Sequence, residues 1–397
     1  MHFSQAVSIM QSQVTVMKKV HVIYNDQDPL ASDLILSLPQ DGLRLLFDST
    51  SQRLKIIEIF NMRFVKLRYC GIHFNTPEIT PTIDQIDQSF GATHPGVYNE
   101  DKQMFALNFR GLSFEFPVEQ ASEPRFVRGV ASFQFPSGCS PTASRMCVFQ
   151  GAQMADCKAP PLPLSCFFAH PYLQNLEVIR DNATRRTLGL RLAYVCEGSA
   201  GVLEPKKQTV FQEVRFGQSG QDILSALGTP SRIFYKDDDK MRIHSPQPHR
   251  RVPGAYSDYF FNYFTLGFDL LFDGSSHLLK KIVLHTNYPG HYNFNMYHRC
   301  EFQLQLSADK VMPDVGHLLD VNQPVVMVTA YSRWDSIVEK LNPSESPIVL
   351  KRASSTNTVN PFGSTLCYGY QDIIFEVMTN NYIASVTVYS SECVTAG

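Results

Sequence analysis

Apolar residues recur along the chain at two spacings. Four short stretches carry them at the three-and-four interval of a helix. The first runs from Ser4 to about Gln11, and the second from Thr82 to Phe90, with Ile83, Ile86 and Phe90 on one face. The third spans Gln221 to Leu227, and the fourth Arg333 to Leu341, where Trp334, Ile337, Val338 and Leu341 align. Ser219 and Ser332 precede Asp222 and Asp335 by three, an acidic variant of the capping box. Thr80-Pro81 sets a cap before a proline at the first helical position. Gly91 and Gly228 stand where helices stop. After each helix the spacing changes to alternation, which predicts strands. KKVHVIYN, ILSLPQDGLRLLFD and LKIIEIF follow the first helix; MFALNFRGLSFEF follows the second, with RGVASFQF as its last strand. RIFYK, DYFFNYFTLGFDLLFD and LLKKIVLHT follow the third; PIVLKR, STLCYGYQDIIFEV and IASVTVYS follow the fourth. VKLRYCGIHF, TVFQEVRFG and PVVMVTAY precede three of the helices as leading strands, so the predicted unit is β-α-β-β-β. The first unit lacks its leading strand, because Met1 stands almost in the helix.

Two hairpins share more than a pattern. Gly42 to Asn61, GLRLLFDSTSQRLKIIEIFN, matches the stretch from Gly267, GFDLLFDGSSHLLKKIVLHTN. Asp48 aligns with Asp273, Ser51 with Ser276, and Leu54-Lys55-x-Ile57 with Leu279-Lys280-x-Ile282. Such a match points to internal duplication. Gly111 to Phe116 keeps the spacing; Gly369 to Phe375 is one residue longer, either a β-bulge or a weaker match. The expected fold is α+β, with four units and antiparallel sheets. An N-terminal half of two units covers 1–135, a middle loop and hairpin segment 136–208, and a C-terminal half of two units 209–397. Within the middle segment Ser137 to Pro163 reads as loop and LEVIRDNATRRTLGLRLAYV as a hairpin turning near Asn182. Ser245 to Gly254 is a Pro-rich basic loop, and Ser307 to Pro324 a linker.

Composition narrows the function classes. The 397 residues are 44% hydrophobic and 18% charged, enough apolar sequence for two or three domain cores. A net charge of -2 supplies no global field toward nucleic acid or an anionic membrane, so nucleic acid is not an expected partner. Nine cysteines, an odd number with no C-x-x-C, read as reduced thiols rather than a disulfide framework or a zinc site. No secretory leader and no apolar run of about 18 residues is present. The expectation is a soluble cytoplasmic chain whose membrane contact is peripheral.

Three constellations could carry chemistry. His285, His291, His298 and Cys300 lie close together. Their gaps of six, seven and two differ from the tight pairs of structural zinc sites. The alternatives are an aromatic loop covering a sheet edge, or a partner surface made of His285, Tyr288, His291, Tyr292 and His298. Asp48 and Asp273 recur, and paired carboxylates can do acid–base work; recurrence at a strand end fits turn chemistry better. Lys240, Arg242, His244, Arg250 and Arg251 form a basic loop that could contact phosphoinositides or an acidic partner. Asp237-Asp238-Asp239 interrupts it, which favours a solvated loop. No Walker loop, G-x-S-x-G, H-E-x-x-H or dinucleotide fingerprint occurs, so no cofactor or metal is expected.

HSPQPH, LHTNYPGHYNFNMYHRCEF, NPFGSTLCYGY, FEVMTNNYIASVTVY, LRYCGIHFN and PTIDQIDQSFGATHPGVYN together resemble the phagosome assembly factor family over essentially the whole chain. The middle third matches chiefly at KAPPLPLSCF. The family usually carries a short extra segment ahead of the first helix, so the resemblance implies a shortened form. It further implies a non-enzymatic regulator or scaffold of autophagy, without cofactor. The implied partner is a β-propeller protein of the breast-carcinoma-amplified-sequence type, recruited to the phagophore or preautophagosomal structure. Phosphoinositide contact would lie mainly with the propeller. Two alternatives stay open: a vesicle-trafficking adaptor at Golgi or endosomal membranes, and an enzyme using the His-rich loop from His285 to Cys300.

Overall fold

The computed structural model describes residues 1–17, 19–91, 96–118, 125–127, 132–134, 140–161, 172–181, 183–197, 207–236, 257–307, 325–341, 346–351 and 362–390. Over these residues the protein is mostly antiparallel β-sheet with four α-helices, an α+β fold of several sheets. It divides into two compact units, Met1–Pro161 and Leu162–Gly397.

The first unit opens with α1 (Phe3–Ser12), then β1 (His21–Ile23), β2 (Leu34–Leu38), β3 (Leu43–Phe47) and β4 (Leu54–Ile59). A small hairpin of β5 (Leu67–Tyr69) and β6 (Ile72–Asn75) leads into α2 (Ile83–Phe90). There follow β7 (Val97–Asn99), β8 (Met104–Phe109), β9 (Leu112–Pro117), a second small hairpin of β10 (Arg125–Val127) and β11 (Ser132–Gln134), and β12 (Arg145–Phe149). The main sheet has the order β1-β2-β3-β4-β12-β9-β8-β7. It is two four-stranded meanders joined through their last strands.

The second unit opens with a meander of β13 (Tyr172–Arg180), β14 (Thr187–Glu197) and β15 (Lys207–Arg215). Next come α3 (Gly220–Leu227), β16 (Arg232–Tyr235), β17 (Tyr259–Tyr263), β18 (Phe268–Phe272) and β19 (Leu279–His285). β20 (Phe302–Ser307), β21 (Val325–Thr329), α4 (Trp334–Leu341), β22 (Ile348–Leu350), β23 (Thr365–Tyr370), β24 (Ile373–Val377) and β25 (Ile383–Tyr389) complete it. Its eight-stranded sheet has the order β16-β17-β18-β19-β25-β24-β23-β22, the same double meander as the first unit. A five-stranded sheet, β15-β14-β13-β20-β21, includes one parallel pair, β13 with β20.

Local signals account for these elements. Thr82 and Gln85 form a capping box at α2, and Ser219 and Asp222 one at α3. The expected caps at Thr80 and Ser332 are displaced. Thr82 takes the first role, with Pro81 ahead of the cap. The Ser332 hydroxyl accepts instead from the Thr329 N–H, while Asp335 pairs with Arg333. At each helix start one residue bridges to the last hairpin of its meander: His2 to Arg53, Thr82 to Thr142, Ser219 to Leu278, Arg333 to Tyr382. The repeated aspartates cap turns. Asp48 accepts from Ser51, and Asp273 from Ser275 and Ser276; Gln52 and His277 then take positive φ values of 52° and 57°. Lys55 reaches Asp33 at 2.9 Å, and Lys280 reaches Asp258 at 2.6 Å.

Three expectations change. The last strand of the second meander is Arg145–Phe149, not RGVASFQF, because a Ser-, Pro- and Cys-rich context hid a five-residue strand that completes the sheet. The segment 136–208 is thus shared: β12 belongs to the first unit, β13 and β14 to the second. The leading strands stay outside the eight-stranded sheets. β15 and β21 form the two edges of the five-stranded sheet, and among the described residues β5 and β6 pair only with each other. The unit within each main sheet is therefore a helix followed by four strands.

In the second unit one core fills the space between the two sheets, with α3 and α4. Phe261, Phe268, Leu270, Phe272, Ile282 and Phe375 meet Leu176, Val178, Leu190, Leu192 and Val328. Each such side chain contributes about 1.5–3 kcal/mol by leaving water. In the first unit Ile83 and Ile86 of α2 pack on Phe105, Leu107, Phe114 and Phe116, while Phe3 of α1 meets Phe47 edge-on at 5.1 Å.

Candidate functional site

The His-rich loop, residues 286–301, follows β19 and lies over the face of the second unit's eight-stranded sheet that points away from the five-stranded sheet. Alternation puts Asn262, Asp269 and His285 on that face, in three neighbouring strands. Asp269 is buried, 7% exposed, and its carboxylate is fully engaged. Asn262 Nδ2 donates to Oδ1 at 2.7 Å, the Tyr297 hydroxyl donates to Oδ2 at 2.8 Å, and His285 Nε2 lies 2.8 Å from Oδ2. The His285 ring stacks on Tyr297 at 3.8 Å. Burial, and then the charge of Asp269, push the Tyr297 hydroxyl well above its ordinary range, so it remains a donor.

A second buried acid repeats the arrangement farther across the sheet. Glu376 of β24 accepts from Thr365 and Ser385, each at 2.8 Å, and meets His291 Nε2 at 3.3 Å. Between these anchors the loop is sewn down. Thr286 donates its hydroxyl to Ile383 at 2.6 Å, the Tyr288 hydroxyl donates to Ala330 at 2.9 Å, and Arg299 Nε donates to Thr286 at 2.8 Å. The Arg299 guanidinium also lies 4.8 Å above the Tyr288 ring.

This arrangement holds a loop. His285 belongs to Asp269, His291 to Glu376, and burial lowers the His298 imidazole below its ordinary value. Cys300 is buried, which pushes its thiol up and away from nucleophilic thiolate. Among the described residues no three His, Cys, Asp or Glu side chains are grouped to hold a metal ion. The five residues read as a partner surface divide unevenly. His285, Tyr288 and His291 are buried, His298 is half-buried, and Tyr292 alone stands exposed. The loop covers a sheet face rather than a sheet edge, and two acids of that face, Asp269 of β18 and Glu376 of β24, meet the imidazoles of His285 and His291. Lys240, Arg242, His244, Arg250 and Arg251 lie outside the described residues.

Sequence reasoning missed the anchors Asp269, Glu376 and Tyr297. The signal for the two acids was their place within the apolar strands FDLLF and IIFEV, where a polar residue needs a partner. It also missed a cavity of about 320 Å³ beside β16, lined by Ile233, Tyr235, Ser257, Tyr259, Phe261, Gly274 and His277. Within it the Tyr259 hydroxyl lies 3.2 Å from His277 Nδ1.

The profile of the family described as phagosome assembly factor 1 matches residues 1–389. The chain belongs to the phagosome assembly factor 1 family. It is 55% identical to a PHAF1 protein of Drosophila melanogaster over 394 residues, covering 98% of this chain and 90% of that one. A PHAF1 protein of Arabidopsis thaliana is 34% identical, covering 98% and 89%. One of Caenorhabditis elegans is 32% identical with the same coverage. No solved structure matches the chain. Among the described residues no helix is long and apolar enough to cross a membrane.

Proposed function

We propose that this protein is a non-enzymatic scaffold of phagophore assembly in autophagy, working in a complex with a β-propeller protein. The observation that carries the reading is the match to the phagosome assembly factor 1 family along residues 1–389. The chemistry of the second unit supports it. The two buried acids beneath the His-rich loop are engaged by strand residues and by Tyr297 and His291 of that loop. Membrane contact falls mainly to the propeller, with the basic residues Lys240, Arg242, His244, Arg250 and Arg251 assisting, at roughly 1 kcal/mol each near an anionic surface. We also infer that four helix-plus-meander units arose by duplication. The shared strand order, the four bridges at the helix starts and the paired Lys55–Asp33 and Lys280–Asp258 contacts support this.

The test is purification of the complex from cells, with crosslinks mapped, followed by flotation on phosphoinositide vesicles. The complex should float and the isolated chain should float weakly. Strong, phosphoinositide-specific flotation of the isolated chain would move the lipid site to this subunit. A purified complex without a propeller would remove the partner. A His291→Gln variant that keeps its fold and partner but abolishes phagophore formation would restore the catalytic alternative.

A further inference from the structure

β16 is an edge strand of the second unit's eight-stranded sheet, and among the described residues it pairs only with β17. Its apolar side chains are exposed: Ile233 is 48% exposed, Phe234 43% and Tyr235 60%. The ladder fixes which backbone groups face outward. The Lys236 N–H donates to the Asp258 carbonyl, one step beyond the Tyr235–Tyr259 pair. Tyr235 is thus at a pair without direct hydrogen bonds, and by alternation so is Ile233. Their N–H and C=O groups point away from β17 to the open edge. The same two residues line the cavity of about 320 Å³, together with Tyr259 and Phe261 opposite them. The other face of the strand carries Arg232, Phe234 and Lys236, with Arg232 placed 5.5 Å over the Phe234 ring. Arg232 and Lys236 are exposed, and neither has an acidic partner among the described residues.

We propose that β16 accepts an extended acidic segment of a partner protein, which adds to the sheet as a further strand. The backbone supplies the hydrogen bonds, and the side chains choose the occupant. Residues opposite Ile233 and Tyr235 drop their side chains toward the cavity and are apolar. Residues opposite Arg232 and Lys236 lie on the other face and are acidic, since charges directly across a ladder must be opposite. The segment therefore reads acid, apolar, any residue, apolar, acid. The proposal does not depend on the partner being a propeller.

The test uses the full chain and a fluorescein-labelled, end-blocked peptide with the core Glu-Ile-Thr-Val-Glu, followed by anisotropy to millimolar concentration. A Lys-Ile-Thr-Val-Lys peptide is the control. The acidic peptide should bind at least about tenfold more tightly at low salt, the gap closing as salt screens it. Arg232→Ala and Lys236→Ala should each weaken it roughly two- to fivefold. Ile233→Pro should abolish binding by removing an outward donor that β17 does not use. Independently of any variant's folding, N-methylation of the peptide's Ile and Val amides should abolish it too. No binding, equal binding of both peptides, or indifference to N-methylation would overturn the proposal. So would a concentration-dependent dimer lost in Ile233→Pro, which would make a second copy the occupant. Binding that emerges only when residues 237–256 are replaced by a Gly-Ser linker would overturn it as well, since the chain's own segment would then hold the edge.

Discussion

The two eight-stranded sheets share a strand order and differ in what their outward positions do. Gly42 accepts from the Phe60 N–H as Gly267 accepts from the His285 N–H, so β3 and β18 can be compared residue by residue. Where β18 has Asp269 bonded to His285, β3 has Arg44, whose guanidinium lies 4.5 Å over the Phe60 ring. Where β24 has Glu376 bonded to Ser385, β9 has Glu115 paired with Arg145 at 3.0 Å. Arg145 also lies 2.8 Å from Glu58, at an angle that makes an ion contact rather than a hydrogen bond. All five residues of β18 are buried; in β3 only Phe47 is. One scaffold thus carries two surface chemistries. Ion pairs from long, partly exposed arginines suit a face left partly open, whereas short carboxylates ringed by neutral donors suit a face covered by a loop.

The largest expected effect tests a feature of the second unit alone. Arg180 of β13 and Asp372 of the β23–β24 turn form a buried ion pair at 3.1 Å that ties the two sheets together, and Asp372 also accepts from the Thr187 N–H. Asp372→Ala should destabilise that unit by about 3–5 kcal/mol in denaturant unfolding, because it strands a buried guanidinium. A cost below about 1 kcal/mol would show that the sheets do not depend on this tie.

The comparison itself is sharpened by Asp269→Ala against Arg44→Ala. The first leaves Asn262, Tyr297 and His285 without their acceptor and should cost about 3 kcal/mol, with faster amide exchange in the loop 286–301. The second removes a side chain 42% exposed whose ion pair spans 3.5 Å, and should cost less than about 1 kcal/mol. Equal losses would break the distinction between the faces. The shared Lys–Asp contacts should behave alike: Lys55→Met and Lys280→Met should each cost about 0.5–1 kcal/mol, since both lysines remain partly solvated. A gap of more than about 1 kcal/mol between them would argue against equivalent positions.

The smallest effect is a pH slope. Burial holds the His298 imidazole below its ordinary value near 6.5. The folded chain therefore takes up that proton at lower pH than the unfolded chain. Stability from this residue is full above about pH 6.5 and falls as the pH drops toward the folded value. His298→Gln should flatten the decline in melting temperature between pH 7 and pH 5; an unchanged slope would assign the decline to other groups.

Much of the fold was legible because its signals are local. The helices α1 to α4 lie within a residue or two of their expected limits, since amphipathic spacing and the caps at Ser219 and Gly228 act over one turn. The hairpins of β3–β4 and β18–β19 were legible from the Asp48 and Asp273 turns. β12 was not, because five residues in a loop-like context gain strand identity only by completing a sheet between β4 and β9. The site was less legible still. Histidines and tyrosines from 285 to 298 read as surface, and three of the five named there are buried.

By itself, then, the sequence determined the family, the helix–strand alternation, the turn chemistry and the repeated hairpin, all of which depend on neighbours within a few residues. Tertiary structure alone decided that β15 and β21 leave the main sheet, that β12 completes the first one, and that His285 and His291 face buried acids. The reason is physical: an imidazole's role depends on the charge and solvent around it, and those come from strands distant in the chain. His291 meets Glu376, 85 residues away, and no spacing within the loop encodes that contact.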